Sequence, residues 1–255
     1  MSITPPPRPP QRRPAGNAPK RAVVQEVADL TPRMRRVTLR SDELVGVDPV
    51  SPDQRVKLVF PEGRVFGDDP TEMGRARRRR RTYTLLDLDA VTGTAAVDFV
   101  LHGTGLAGEW AAGVRPGDEV GIVGPVGRYE VDPDADLLVV TDETGLPAAR
   151  AVLAELPAGR WARVHVEVAD DAERQELASA ADVELTWWPR GDAGPGEPMA
   201  RVVDHLGDVG PDTKAWVAGE AAAVLAVRAH LLGTVGLPRA QVDAVAYWTL
   251  GRTEA

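Results

Sequence analysis

Asp136-Leu137-Leu138-Val139-Val140-Thr141-Asp142 is an unbroken apolar run held between two acids, and its reading decides the fold. A strand with one wet face alternates apolar and polar residues. A strand covered by helices on both faces has no wet face and reads as continuous Leu and Val. Downstream, residues 144–156 carry apolar positions at helical spacing. The alternation then continues: a strand over 163–168, a polar helix over 170–180, a strand over 183–187, a helix near 197–206, a strand over 214–218, a helix over 220–232 and a strand over 242–248. Strand–helix alternation of this length predicts a doubly wound parallel α/β domain over 134–255.

Upstream of the run the punctuation changes. Short apolar segments at 23–30, 34–41, 55–60, 83–88, 95–101 and 118–123 are separated by Gly and Pro turns, with one short helix between the last two. This pattern predicts a six-stranded antiparallel β-barrel over 20–133, joined to the α/β domain by a linker at 130–136. Residues 61–76 read as a polar loop. Residues 1–19 are rich in Pro and Arg without periodicity and read as a disordered tail.

Bulk composition narrows the chemistry. A chain of 255 residues with 43% hydrophobic content is ample for real cores. No apolar run approaches the roughly 20 residues that span a bilayer, and the amino terminus lacks an apolar signal core, so a cytoplasmic monomer is expected. There is no cysteine and only four histidines. Thiolate catalysis, disulfides and iron–sulfur ligation by cysteine are excluded and no metal site is expected, so redox chemistry would have to come from a bound cofactor. The net charge of −8 is uneven: residues 1–81 hold 18 Lys/Arg against 10 Asp/Glu, and residues 82–255 hold 12 against 28. The first part can therefore attract anions.

Three pieces in the barrel region together have the makings of a flavin site. Arg81-Thr82-Tyr83-Thr84 places on one strand a cation and hydroxyls for phosphate and ribityl, and an aromatic ring for the flavin plane; alternation turns Arg81 and Tyr83 to the same face. Thr84 can hold the flavin near its hydride-accepting nitrogen. Val97-Asp98-Phe99-Val100-Leu101-His102-Gly103 follows, and then Gly105-Leu106-Ala107-Gly108-Glu109-Trp110, a glycine-rich turn that opens a helix whose free N–H groups can take a pyrophosphate. Asp98, Val100, His102, Gly105, Leu106, Ala107, Gly108 and Trp110 are therefore assigned to the cofactor. In the α/β domain, Asp142-Glu143-Thr144-Gly145 and Gly219-Glu220 lie in turns at the carboxyl ends of strands, where open α/β sheets bind ligands. There is no Gly-x-Gly-x-x-Gly fingerprint.

The same blocks, in the same order, resemble the siderophore-interacting protein family, a branch of the ferredoxin-reductase-like flavoproteins. The resemblance covers nearly all of 21–252 and rests also on Pro116-Gly117-Asp118, Gly124-Pro125, Trp216-Val217-Ala218-Gly219-Glu220-Ala221 and Tyr247-Trp248. It implies FAD in the barrel, NADPH or NADH at the α/β turns, and electron transfer to Fe(III) in a siderophore. It also implies a basic substrate pocket containing Lys57, completed near the carboxyl-terminal Tyr-Trp, where Arg252 is the nearby cation. Two departures bear on this. Leu106 and Gly108 stand where the family has proline and serine, and Thr249-Leu250 follows Tyr247-Trp248 where the family often has arginine. A flavin reductase serving another acceptor, or a non-catalytic siderophore- or flavin-binding protein, fits the same pattern. Glu167 or Asp170 would suit a free ribose hydroxyl, Arg190 a 2′-phosphate, and ferredoxin is a further conceivable donor. The basic run at Arg75 and 77–81 lacks interleaved aromatics and reads as a solvated loop, with no nucleic-acid partner.

Overall fold

The computed structural model describes residues 18–67, 72–102 and 105–252. Residues 1–17 of the tail expected over 1–19, part of the polar loop, Gly103 and Thr104 of the glycine-rich turn, and the side chains of Arg75, Arg77 and Arg78 lie outside the described residues.

The first sheet is antiparallel and has seven strands: β1 (Lys20–Thr31), β2 (Met34–Arg40), β3 (Arg55–Val59), β4 (Arg80–Thr84), β5 (Leu86–Asp89), β6 (Thr94–Val100) and β7 (Glu119–Val126). Their order is β4-β3-β7-β1-β2-β6-β5. The segment 83–88, expected as one strand, belongs to two. Leu85 interrupts it, and Asp87 adopts a left-handed φ of 50° that a straight strand does not allow. Because β4 and β5 form opposite edges of the sheet yet are separated by one residue, the sheet has to curl until its edges meet. Val37, Leu39, Leu58, Phe60, Val97 and Phe99 fill the interior. A single turn, α1 (Glu72–Arg75), precedes β4, and α2 (Leu106–Gly113) lies between β6 and β7.

The second sheet is wholly parallel: β8 (Leu137–Asp142), β9 (Trp161–Val168), β10 (Asp182–Pro189), β11 (Lys214–Glu220) and β12 (Val242–Trp248), in the order β10-β9-β8-β11-β12. All six residues of β8 are buried. Leu137 and Val139 face α3 (Leu146–Glu155), while Leu138 and Val140 face α4 (Glu197–Arg201) and α5 (Ala221–His230). The chain leaves β8 toward β9 on one side and later returns to β11 on the other, so the strand order reverses between β8 and β11. In open α/β sheets, ligands bind outside the carboxyl ends of the strands at such a reversal.

The polar helix expected over 170–180 does not form. A short 3-10 turn at Asp171–Glu173 is followed by irregular chain. Its side chains are engaged elsewhere. The buried Glu173 accepts from the Thr31 hydroxyl and from the Arg33 amide (3.0 Å) in the β1–β2 turn, and Gln175 accepts from Arg150. Tertiary contacts across the domain boundary thus override a local helical pattern.

A second tether is ionic. The Asp98 side chain on β6 is 1% exposed and accepts from Arg36 on β2 through Nε at 2.7 Å and Nη2 at 2.9 Å, while Nη1 of Arg150 on α3 lies 3.5 Å away. Asp98→Ala leaves two half-buried guanidinium groups facing each other, and breaking a buried pair costs about 3–5 kcal/mol. Urea denaturation of this variant should show a loss near that range; a loss below about 1 kcal/mol would refute the tether.

Candidate functional site

The site is built from the outer end of β4, the start of α2 and the tips of β8, β11 and β12. The β3–β4 register decides which side chains share a face: Val56 opposes Tyr83, Leu58 opposes Arg81 and Lys57 opposes Thr82. Opposed residues point the same way. Arg81 and Tyr83 therefore lie on the side of the buried Val56 and Leu58, whereas Thr82 and Lys57 are exposed on the other side. Thr84, buried, shares the Lys57 face by alternation.

The two barrel motifs meet through aromatic contacts. The Tyr83 and Phe99 ring centroids are 4.5 Å apart, Phe99 and Trp110 are 5.6 Å apart, and Trp110 packs edge-on to Phe60 at 5.2 Å. These contacts place α2 beside the Tyr83 face. Gly105 precedes α2 with φ +87°, a conformation that favours glycine, and supplies no side-chain cap. Among the described residues no side chain caps the first N–H groups of the helix. The exposed His102 ring lies over the helix start, 3.8 Å from where a Cβ at Gly108 would stand. Leu106 and Ala107 pack on the barrel core, and Val100 is half-buried at the end of β6. Among the described residues Arg81 has no carboxylate partner; its Nη1 donates to the Arg80 carbonyl at 2.7 Å. A partly buried guanidinium, a helix start and a half-buried tyrosine could together hold a phosphorylated, ring-bearing cofactor. Asp98 is different, since its carboxylate is already engaged by Arg36 and Arg150.

At the strand tips the acids are turned inward. Asp142, 2% exposed, accepts at Oδ1 from the Thr144 amide (2.8 Å) and hydroxyl, and at Oδ2 from the Glu220 amide (2.9 Å) and the Trp248 indole (2.8 Å). Glu220 caps α5 by accepting from Ala222 and Ala223, and its other oxygen accepts from the Leu250 amide at 3.1 Å. Gly145 opens α3 where a Cβ would strike the Thr141 hydroxyl. Glu143 accepts from Ala169 and Arg190, and Glu167 accepts from Gly196 and Met199 at the start of α4, with Arg190 Nε 3.1 Å away. Burial pushes both carboxyls above their ordinary range, opposed for Glu143 chiefly by Arg190 and for Glu167 chiefly by the Gly196 amide. Glu167 and Arg190, both considered for reading the nucleotide's ribose, thus hold the protein's own elements together. Asp170 remains half-exposed, capping the 3-10 turn and 3.8 Å from Arg33.

Tyr247 joins the two halves, and the sequence reading did not single it out as a site residue. In β12, Ala246 pairs with Gly219 and Trp248 with Glu220, so Tyr247 is the extra residue of a β-bulge. Its ring meets Trp216 edge-on at 6.5 Å, and burial pushes its phenol well above the ordinary range, with Asp53 adding to the shift and the neighbouring Arg55 and Thr84 hydroxyl opposing it. Arg252 is exposed just beyond, in a turn closed by its amide on the Thr249 carbonyl at 3.1 Å.

Two family profiles match the chain in tandem: "Siderophore-interacting FAD-binding domain" over residues 23–129 and "Siderophore-interacting protein" over 134–251. An uncharacterized protein of Mycobacterium tuberculosis is 34% identical, with 88% of each chain covered. A siderophore utilization protein from T. fusca has a solved structure that superposes with a TM-score of 0.81 at 32% identity, covering 93% of this chain and 95% of that one. The NADPH-dependent ferric-chelate reductase of Escherichia coli is 28% identical over 88% of this chain and 91% of its own. The chain belongs to the siderophore-interacting protein family.

Gly219 has φ +145°, and a Cβ there would stand 2.6 Å from Asp142 Oδ2. Gly219→Ala should therefore destabilise the protein by about 2–3 kcal/mol through backbone strain and displacement of Asp142. Thermal and urea denaturation check this, and near-parental stability would contradict the close approach.

Proposed function

We propose that the protein is an FAD-dependent reductase that passes electrons from NAD(P)H to Fe(III) held in a siderophore. The observation that carries this reading is the meeting of Thr84, at the end of the Arg81–Thr84 strand, with Tyr247 from the tip of the parallel sheet. A cofactor laid along β4 would there come within reach of a nucleotide at the β8–β11 reversal. Family membership and the ferric-chelate reductase relative support the same chemistry.

Bound FAD supplies a hydride acceptor and a one-electron donor, which the cysteine-free chain does not itself provide. The protein's part is binding, orientation and charge. Arg81 would pair with the phosphates, the first N–H groups of α2 would take the pyrophosphate, Tyr83 would pack on the flavin ring and Thr84 would hydrogen-bond to it. The strand tips at Thr144-Gly145 and Gly219-Glu220 would border the nicotinamide nucleotide mainly with backbone, since Asp142 and Glu220 are engaged internally. Lys57 and Arg252, both exposed, supply positive charge for an anionic ferric siderophore. Thr249 and Leu250, standing where arginine is often found, favour a second reading in which the acceptor is a small redox protein or an organic metabolite.

Anaerobic mixing with NADPH, NADH or reduced ferredoxin tests the donor, and addition of a ferric siderophore tests the acceptor. The purified protein should be yellow, release FAD on denaturation, bleach with a nicotinamide and recolour with the ferric siderophore. Release of FMN, or no flavin binding after reconstitution, would sink the pyrophosphate role of α2. Arg81→Ala should weaken FAD binding by about one to two decades, the worth of a charge-assisted pair.

Lys57→Glu should raise KM for an anionic ferric siderophore, most strongly at low salt, and leave flavin bleaching intact. If the variant reduces the ferric siderophore as well as its parent does, the other-acceptor reading takes its place.

A further inference from the structure

One face of β9 carries Arg163, His165 and Glu167, where a strand covered by helices is ordinarily apolar. Two of the three have a structural task. Glu167 fastens the start of α4. Arg163 donates to the Leu206 carbonyl, lies 3.5 Å from Glu184 on β10 and stacks over the Trp161 ring. His165 has only half of its ring satisfied. It is 4% exposed, in register with Val140 on β8 and Thr186 on β10. The Trp188 indole, which can only donate, gives its N–H to His165 Nδ1 at 3.2 Å. Burial, with Arg163 beside it, holds the imidazole pKa down to about 4, so the ring is neutral near pH 7. A neutral imidazole that accepts at Nδ1 carries its proton on Nε2. Among the described residues that buried N–H has no partner, and an unpaired buried donor is costly.

His165 lines a cavity of about 260 Å³, close to the roughly 300 Å³ at which small-molecule pockets begin. Glu184, Thr186 and Trp188 share its floor, because they sit at alternate positions of β10, in register with the polar face of β9. The chain at 205–207 forms the wall. Two rings border the space, Trp188 and the exposed His205, with centroids 5.0 Å apart. The charges balance, since Arg163 is paired with Glu184 and tied to Leu206, so a phosphate finds no free cation. Among the described residues no three acid or histidine side chains converge to hold a metal ion. We propose that this cavity binds a small uncharged amino-substituted nitrogen heterocycle, either a free nucleobase or the base of a nucleotide. Its ring nitrogen accepts from His165 Nε2, its amino group donates to Glu184 or Thr186, and its plane packs against Trp188. Because Nε2 is sealed from solvent, His205 turns aside as the ring enters. The site does not depend on the flavin reading: Arg163 and His165 lie midway along β9, away from the tips of β8 and β11.

The test adds adenine to the full-length protein. Proton–nitrogen correlation spectra of the histidine side chains near pH 7 should contain one ring protonated at Nε2 alone, and the signal missing in His165→Phe identifies it. Trp188→Phe keeps a ring but releases Nδ1, and should convert that signal to a mixture of the two tautomers. Adenine should shift the His165 signal and bind with a Kd below about 1 mM by calorimetry. His165→Phe, which removes the donor, and Thr186→Phe, which fills the cavity, should each weaken binding by about tenfold or more. AMP and NADPH, added in place of adenine, separate the two sources: a shift of the same signal supports the base of a nucleotide as occupant, and a shift with adenine alone supports a free base.

A His165 signal that none of these compounds moves at millimolar concentration overturns the proposal, and so does binding that Thr186→Phe leaves undiminished. Should His165→Phe fail to fold, Thr186→Phe, at a half-buried position on an edge strand, carries the affinity comparison. The His165 signal is then identified by its change in Trp188→Phe.

Discussion

The carboxylate of Asp142 is the constraint on which the rest of the site depends. It is almost wholly buried at the end of a strand that is itself buried along its length. A buried carboxylate left without donors costs several kcal/mol, so donors have to be brought to it. They come from the following turn, from the tip of β11 and from the indole on β12. Satisfying this one group draws three strand tips together. It also dictates glycine at 219, where any Cβ would collide with the carboxylate.

The two sheets are joined by contacts that follow the charge distribution of the chain. The amino-terminal part is rich in arginine, and the remainder is acidic. Arg33 and Thr31 in the β1–β2 turn meet Asp170 and Glu173 of the parallel-sheet domain. Arg36 and Arg150, one from each side, share Asp98. The third junction, Tyr247 with Thr84, lies beside the aromatic series Tyr83–Phe99–Trp110. Polar clamps at the periphery thus hold an aromatic and hydroxyl-bearing centre, a layout suited to a cofactor lying between the two units.

Much of this was legible in the sequence because it is periodic or local. The run at 137–142 has no polar alternation, and it is indeed the central buried strand. Strands at 214–220 and 242–248 and the barrel strands 34–40 and 55–59 begin where their apolar segments begin. The failures have physical causes. Residues 170–180 have helical composition, but Glu173 and Gln175 are drawn to partners on other elements. The segment 83–88 looks like one strand, but closing the barrel needs a corner at Leu85.

By itself the sequence determined the fold class, the order of barrel and parallel sheet, and the strand and turn that resemble a flavin site, since each is written in residues close together along the chain. Only the tertiary structure decided which charged residues are available. Glu167, Arg190, Asp98 and Asp142 all looked free to meet a ligand, and all are engaged by the protein's own groups. It also decided that Tyr247, lifted out of its ladder by a bulge, is the residue that reaches the barrel. Such pairings join positions 78 and 106 residues apart. No local period encodes them, because they arise only when burial forces distant polar groups to satisfy one another.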